Sequence, residues 1–470
     1  MKKKLSFPLG NDTATMIRLF YLIGPVFFML AISFPGFARN NLSPIICEEA
    51  NSAEYYALVI MISTLAGSIV SPIVGRLGDL FGRRRLSLVC IIPYIGALVL
   101  IGFAKGPLVL GIGYALLGVF NVSLSSVTNG VVIDTFERSV ATKYLAYINS
   151  ANAIASMLGP KIVGLLANNM GAQKAMMSLT VLLGIAWFVI LFTFPDVRHA
   201  EDVKIDWKGA ALLPLTIGPI CIALTVGGKQ LAWTSPWMWV LFGITIVFTT
   251  IFVIVERRIE AEGKLPMVTL SLLKDKRITW ALLFLFLMNS SAGVAQFLTL
   301  YCREVLKFDA NGLGSLQLFA FVPAVVAPFI GIWLSKTNAF RASFTISGVV
   351  SILYGIVYIL VIKPGITPFG VAVAKIPAFL IICFVMAPLY AYFGTILPAK
   401  ERGLGLALIS FVGSLSVSFF TAVYSMIFNI YGGDIKAAFP TMCIACITIG
   451  VARTLIAFFT TKNPPKEQAQ

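Results

Sequence analysis

The sequence predicts an all-α polytopic membrane protein with fourteen transmembrane helices and both termini in the cytoplasm. Of its 470 residues, 58% are hydrophobic and only 12% are charged. A soluble domain carries about 25% charged residues, so most of this surface must face something other than water. Apolar segments of about 20 residues, the length that crosses the hydrocarbon core as a helix, recur along the whole chain. Lys and Arg cluster in alternate loops between them.

The apolar segments place the individual helices. Several connections, such as residues 105–106, are too short to hold separate domains. The predicted spans are residues 17–38, 54–74, 86–104, 107–133, 144–167, 175–195, 208–227, 235–255, 278–300, 312–334, 343–362, 367–397, 404–430 and 437–461.

The distribution of cations predicts the orientation. Basic clusters such as Lys2–Lys4 and Arg83–Arg85 fall in alternate loops, whereas the loops between them hold mostly single cations. Because cytoplasmic loops are rich in Lys and Arg, the net charge of +16 is read as a topology signal and not as a nucleic-acid site. No cleavage site follows the first span, so we expect a multi-pass protein of the plasma membrane.

Two long polar loops, residues 196–208 and 256–277, divide the chain. They bracket one helical hairpin at residues 208–255. The predicted organisation is a six-helix bundle at 1–195, a linker with an inserted transmembrane hairpin at 196–277, and a second six-helix bundle at 278–470.

The loop after the second span carries the most specific motif. It reads Gly75-Arg76-Leu77-Gly78-Asp79-Leu80-Phe81-Gly82-Arg83-Arg84-Arg85 and resembles the loop between spans 2 and 3 of the major facilitator superfamily. Glycines allow two helices to approach in a tight turn. The resemblance implies that Arg83 pairs with an acid at the inner end of span 4, where Asp134 stands. The predicted conformational latch comprises Gly75, Asp79, Gly82, Arg83, Arg84, Asp134 and Arg138; a topology signal alone is the alternative for the arginines.

The fifth span carries a second motif, Leu158-Gly159-Pro160-Lys161-Ile162-Val163-Gly164. It resembles a motif of the superfamily's exporters, with Val163 in place of one glycine. Gly and Pro kink a helix and admit a close neighbour. We therefore predict a hinge near the outer gate at Gly159, Pro160 and Gly164, with a purely structural kink as the alternative.

The inserted hairpin and its flanks resemble the linker helices of the fourteen-span drug:proton antiporter branch. This resemblance implies a major facilitator fold, alternating access, a proton gradient as the energy source, and export of drug-like or metabolite molecules. Two residues depart from the branch: Pro35 replaces the acid of the first span, and Tyr114 replaces an arginine of the fourth. No Asp or Glu lies well inside a predicted span. The alternative is therefore a uniporter or importer of a small organic anion without classical proton coupling.

Polar residues inside the spans are the candidate substrate contacts. The ionisable ones are cations, Lys161, Lys375 and Arg453, and charge at that depth needs a partner or a water-filled cavity. Lys375 is the preferred contact because its span corresponds to a cavity-lining helix in the family. Interhelical hydrogen bonds are the alternative for most of the neutral amides. The candidate set is Lys375, Lys161, Asn40, Asn121, Asn289, Gln296 and Gln317.

Other classes of protein fit the sequence poorly. An enzyme embedded in the membrane would need clustered His or acidic ligands, and the chain has one His and seven Cys without metal-ligand spacing. The short tails, 1–16 and 462–470, leave no room for the output domain of a sensor. We therefore expect no enzyme activity, metal or cofactor. The expected partners are a small-molecule substrate and the lipid bilayer, with no nucleic acid, and the expected state is a monomer.

Overall fold

The computed structural model describes residue 9 and residues 15–195, 207–262, 268–337, 339–397 and 402–460. Within these ranges the chain is helical and forms no strand. Thirteen helical segments there are long and apolar enough to cross a membrane, and Val322–Leu334 is a shorter apolar helix. The all-α prediction is confirmed. The count of fourteen spans and the orientation of the termini remain predictions.

The first half of the chain forms six long helices. Gly82 and Gly171, with φ of 81° and 89°, separate successive helices, and glycine adopts this left-handed region without steric cost. Pro107 opens its helix at a position where no backbone donor is needed. The helices are α1 Thr15–Glu49, α2 Tyr56–Phe81, α3 Arg83–Gly102, α4 Pro107–Thr135, α5 Arg138–Met170 and α6 Ala172–Thr193.

Helix α1 continues well beyond the predicted end at residue 38. The polar run Arg39-Asn40-Asn41 interrupts the apolar count, but the helix reaches Glu49. The prediction was wrong here because these polar groups find partners inside the protein. Asn41, for example, donates a hydrogen bond to the carbonyl oxygen of Phe37 at 3.2 Å.

The predicted hairpin forms α7 Trp207–Val226 and α8 Pro236–Ala261. Helix α7 contacts α2 of the first half and a late helix of the second half, α17 Arg402–Ile430. Asn429 Nδ2 of α17 donates hydrogen bonds to the carbonyl oxygens of Thr225 at 2.6 Å and Gly227 at 3.2 Å. Helix α8 packs on α7 and exposes Trp237 and Trp239. The hairpin therefore covers the junction between the halves and presents an apolar outer surface.

The second half contains several interrupted spans. The ninth is broken at Asn289, the tenth over residues 316–321, and the twelfth at Lys375 and over residues 384–385. Pro377 contributes to the break at Lys375, because proline lacks a donor and clashes with the preceding turn. The remaining helices are α9 Lys276–Met288, α10 Ser290–Glu304, α11 Ala310–Ser315, α12 Val322–Thr337, α13 Phe340–Val361, α14 Pro368–Ala374, α15 Ile376–Cys383, α16 Met386–Ile396 and α18 Ile435–Thr460.

The two halves pack directly on each other. Helix α5 contacts α11 and α12, α2 contacts α17, and α1 contacts α10 and α11. We call the face at which α1, α5 and α10 end, at Glu49, Met170 and Glu304, the cation-poor face. The opposite, cation-rich face holds the ends of α2 and α4. The predicted orientation makes the cation-poor face the outer one.

Candidate functional site

Polar pairs join the two halves at the cation-poor face. Arg303 of α10 donates from Nη2 to Glu48 Oε2 of α1 at 2.7 Å, and its Nε lies 3.1 and 3.2 Å from the two carboxylate oxygens. Asn168 Nδ2 of α5 donates to Asp309 Oδ2 at 2.6 Å. These side chains are partly or largely exposed, so water can compete for each bond. The pairs close this face and can be exchanged for water at small cost.

Backbone-to-backbone contact between α5 and α11 lies beneath these pairs. A Cβ placed on Gly164 would meet the carbonyl oxygen of Ala310 at 2.5 Å, and one placed on Gly314 would meet that of Pro160. Gly159 faces α1 instead, at 3.3 Å from Phe34. Of the predicted hinge residues, Pro160 and Gly164 therefore contact the second half, whereas Gly159 packs within the first, and their hinge role stays a prediction.

Lys161 belongs to the same interface. Its Nζ donates to Asn311 Oδ1 at 2.5 Å and to Ser315 Oγ at 2.8 Å, both on α11. This lysine thus crosses from the first half to the second, and its partners are neutral. In this conformation its hydrogen bonds bridge the two halves.

The predicted pair at the cation-rich face is formed. Arg83 Nε at the start of α3 lies 2.5 Å from Asp134 Oδ2 near the end of α4. Gly130 leaves the space for this guanidinium, since a Cβ there would collide with it. Arg84 Nη2 donates to the carbonyl oxygen of Leu191 at 2.5 Å. These contacts tie α3 to α4 and α6 within the first half.

For three members of the predicted latch the structure describes the backbone and not the side-chain environment. The backbone of Gly75, Asp79 and Arg138 is helical, but their surroundings fall outside the described residues. Their part in a latch remains a prediction.

Two of the five candidate amides, Asn121 and Asn289, hold helices together. Asn121 Nδ2 donates to the carbonyl oxygen of Ile32 at 2.9 Å and to the hydroxyl of Tyr94 at 3.0 Å. Asn289 Nδ2 donates to Ser416 Oγ at 2.7 Å and to the carbonyl oxygen of Gly413 at 3.2 Å. These bonds have the geometry of the interhelical alternative.

Gln296 and Gln317 differ from those amides. Gln296 Nε2 makes only a long contact of 3.4 Å to Thr421 Oγ1, and the hydroxyl of Tyr56 donates to the backbone carbonyl oxygen of Gln296 at 2.9 Å. Gln317 is partly exposed in the turn between α11 and α12, and its side chain forms no hydrogen bond with the described residues. Both side chains retain polar atoms that can face a substrate.

Lys375 lies buried at the break between α14 and α15. Its side chain is 3% exposed, and its Nζ makes no hydrogen bond or ion pair with the described residues. The thiol of Cys302 lies near it. A buried cation with no counter-charge is costly, and the broken helix that presents it resembles the discontinuous helices at transporter binding sites.

Arg39 is a membrane-depth cation that the sequence windows missed. Its Nη2 and Nε lie 2.8 and 3.2 Å from Asn40 Oδ1, and its Nη1 donates to Ser63 Oγ of α2. The guanidinium carbon lies 5.9 Å from the ring centroid of Tyr114 on α4. Asn40 therefore accepts from the arginine. The missed signal was the return of apolar residues at 42–47, which shows that the helix continues past the polar run.

Arg39 lies next to Tyr114, the position at which the fourth span differs from the antiporter branch. The family resemblance calls for an arginine at that place on the fourth span. In this protein α1 supplies the cation, and the aromatic ring occupies the place of the arginine. In this structure the guanidinium of Arg39 on α1 lies beside the ring of Tyr114 on α4.

Arg453 is enclosed in the second half. It is fully buried, donates from Nη2 to Ser347 Oγ at 3.0 Å, and lies 5.2 Å from the ring centroid of Phe284. Its Nε and Nη1 have no partner in the described residues. Packing inside the second half, and not an extension to the membrane surface, accounts for this arginine.

These observations define a multi-pass helical membrane protein whose two halves meet around polar side chains. Its sequence matches the family model of the Major Facilitator Superfamily over residues 19–417. The chain belongs to this superfamily, whose members are transporters and not enzymes.

Proteins of known fold and curated relatives agree with that assignment. The chain is similar in fold to a crystal structure of the nucleoside transporter NupG, with a TM-score of 0.68 and 12% identity over 94% of this chain and 100% of that one. A structure of the peptide transporter POT in complex with sulfate gives a TM-score of 0.66 and 15% identity, over 93% and 94% of the two chains. At these identities the likeness shows the fold alone.

The curated relatives are transporters of drugs and metabolites. Multidrug resistance protein 3 of Bacillus subtilis is 25% identical over 285 residues, which cover 60% of this chain and 54% of the relative. Citrate exporter 1 of Yarrowia lipolytica is 23% identical over 334 residues, covering 69% and 48%. The matched region thus spans about half the length of these relatives.

Proposed function

We propose that this protein is a secondary active transporter that exports drug-like or metabolite small molecules across the plasma membrane by alternating access. The observation that carries the proposal is the closed interface between α5 and α11. Glycines bring the two backbones together there, and Lys161 bridges them with neutral partners. The two helices can separate without breaking a buried pair of opposite charges.

The physical cost of opening supports this mechanism. The pair of Glu48 and Arg303 is partly exposed, and exposed ion pairs contribute about 0–1 kcal/mol each. Lys161 can exchange its hydrogen bonds for water once the gap opens. Several weak contacts suit a gate. A bound substrate then needs to supply only a few kcal/mol to shift the equilibrium between the closed and the open conformation.

Export is supported by the relatives. They include a multidrug resistance protein, a multidrug transporter and a citrate exporter. A proton gradient is the proposed energy source, although the first span carries Pro35 in place of the acid of the branch.

A second candidate function is an importer or uniporter of a small organic anion. The cation of Lys375, buried without a counter-charge among the described residues, favours it. Anion flux without proton movement would distinguish this function from proton-coupled export.

The experiment is substrate-driven proton flux in proteoliposomes that carry an internal pH dye. Lipophilic cations and organic anions are added in turn to the wild type and to protein-free liposomes. Proton movement triggered by any compound supports a coupled transporter. Anion uptake without proton movement supports the second function, and no uptake of any compound contradicts both.

A further inference from the structure

Arg39 places a full positive charge within α1, a helix long and apolar enough to cross the membrane. It lies ten residues before Glu49, the end of α1, which corresponds to about 15 Å along a helix. The hydrocarbon core is about 30 Å thick. A guanidinium at this depth stays charged, so it requires a counter-charge or a polar environment.

The described protein partners leave that charge uncompensated. Arginine has five N–H donors, and the three hydrogen bonds of Arg39 go to the neutral oxygens of Asn40 and Ser63. The ring of Tyr114 adds a cation–π contact, which offsets only part of the cost of burial. No carboxylate in the described part of the chain pairs with it. At least two N–H donors and the net charge remain available.

Arg39 is partly exposed and lies on a helix that contacts both halves of the protein. Helix α1 is in contact with α4, α5 and α6 of its own half and with α10 and α11 of the other. The neighbours Ala38 and Asn41 are buried, whereas Arg39 and Asn40 are partly exposed. Arg39 and Asn40 are therefore the members of this polar run that a ligand can reach. Arg453, by contrast, is fully buried.

We propose that Arg39 binds an anionic group of the transported substrate, a carboxylate or a phosphate, with Asn40 beside it. This inference rests on the proposed transport function and names the substrate class of that site. A planar guanidinium matches the two oxygens of such a group in a forked pair of hydrogen bonds. Ser63 and Tyr114 hold the guanidinium in place from α2 and α4. The substrate then supplies the missing counter-charge.

The test measures anion binding to the purified, full-length protein in detergent. The probes are benzoate and phenyl phosphate, each compared with the neutral benzamide, and the readout is the shift of the thermal unfolding midpoint with probe concentration. Wild type should be stabilised by at least one anion and not by benzamide. Arg39→Gln should weaken that anion about 30-fold or more, the size of effect for losing one partner of a buried charge pair.

Two further variants keep the result interpretable. Arg39→Lys retains the charge and should fold even if Arg39→Gln does not, but it should bind the anion more weakly because an ammonium cannot form the fork. Lys363→Gln removes an exposed cation outside the candidate site and should leave benzoate or phenyl phosphate binding intact.

The proposal is overturned if neither anion stabilises the wild type, or if Arg39→Gln and Arg39→Lys bind as well as the wild type. It is also overturned if Lys363→Gln weakens binding as much as Arg39→Gln does. A transporter that moves only lipophilic cations in the liposome assay would keep the proposed function while removing this anion site. Loss of all transport would remove the proposed function itself.

Discussion

The ammonium group of Lys161 in the first half donates a hydrogen bond to the amide oxygen of Asn311 in the second half, at 2.5 Å. The sequence alone made this lysine a candidate for binding substrate. The structure gives its hydrogen bonds to α11, so in this conformation Lys161 acts as a bridge between the halves. Its availability to a substrate therefore depends on the opening of the cation-poor face.

Replacing Lys161 with Met should loosen that face. The change removes two interhelical hydrogen bonds, which contribute about 1–3 kcal/mol together. The measurement is the rate at which an impermeant maleimide labels a cysteine introduced at the buried Leu313 of α11, in a background without the native cysteines. The rate should rise severalfold. Lys174→Met, at an exposed site on α6, is the control, and equal rates in both variants would show that Lys161 does not hold the interface.

A bulky residue at Gly164 should prevent the two halves from closing. A Cβ already meets the Ala310 carbonyl oxygen at 2.5 Å, and overpacking of this kind costs about 1–3 kcal/mol. Gly164→Leu should therefore lower the transport rate about tenfold or more, as measured in proteoliposomes. Gly184→Leu is the matched control, because a Cβ at Gly184 meets nothing within 4 Å. Similar rates for the two variants would contradict the interface role of Gly164.

Arg83 and Asp134 should stabilise the first half as a coupled pair. Their side chains are 16% and 8% exposed, so Arg83→Gln or Asp134→Asn should each cost about 1–3 kcal/mol. The double variant should cost less than the sum of the two, which a double-mutant cycle of thermal unfolding measures. Arg85→Gln removes an exposed neighbouring cation and should change stability little. Additive costs would mean that the pair contributes no coupling energy.

Lys375→Met tests whether the buried lysine contributes to stability or to transport. Methionine has a similar length and removes an unpaired buried charge, so the unfolding midpoint should stay unchanged or rise. If Lys375 contacts substrate, transport of anions should fall at the same time. The control is Lys363→Met at an exposed position. A lower midpoint with unchanged transport would show that Lys375 has a structural partner and no part in binding.

Local sequence information predicted some features of the fold well. Apolar length located most of the membrane helices, since a helix in lipid must be apolar over about 20 residues. The pairing of Arg83 with Asp134 followed from the resemblance of the loop between α2 and α3 to the superfamily's motif. The first prediction depends on local composition, and the second depends on a family motif.

Other features depend on contacts that no sequence window contains. Arg39 was missed because averaging hydropathy treats a polar run as the end of a helix, whereas Ser63 and Tyr114 make that run tolerable. The breaks at Asn289 and over residues 316–321 were missed because the interrupted segments are still apolar. Lys161 was interpreted as a substrate contact because its partners on α11 are 150 residues away in the chain.

The most direct test of the central claim measures two distances by double electron–electron resonance in liposomes. One pair of spin labels is placed at Asn169 and Glu304, across the halves at the cation-poor face, and the other at Lys143 and Thr337, toward the cation-rich face. Alternating access predicts two populations whose distances change in opposite directions when a transported compound is added. A single, unchanging distance for both pairs under active transport would contradict it.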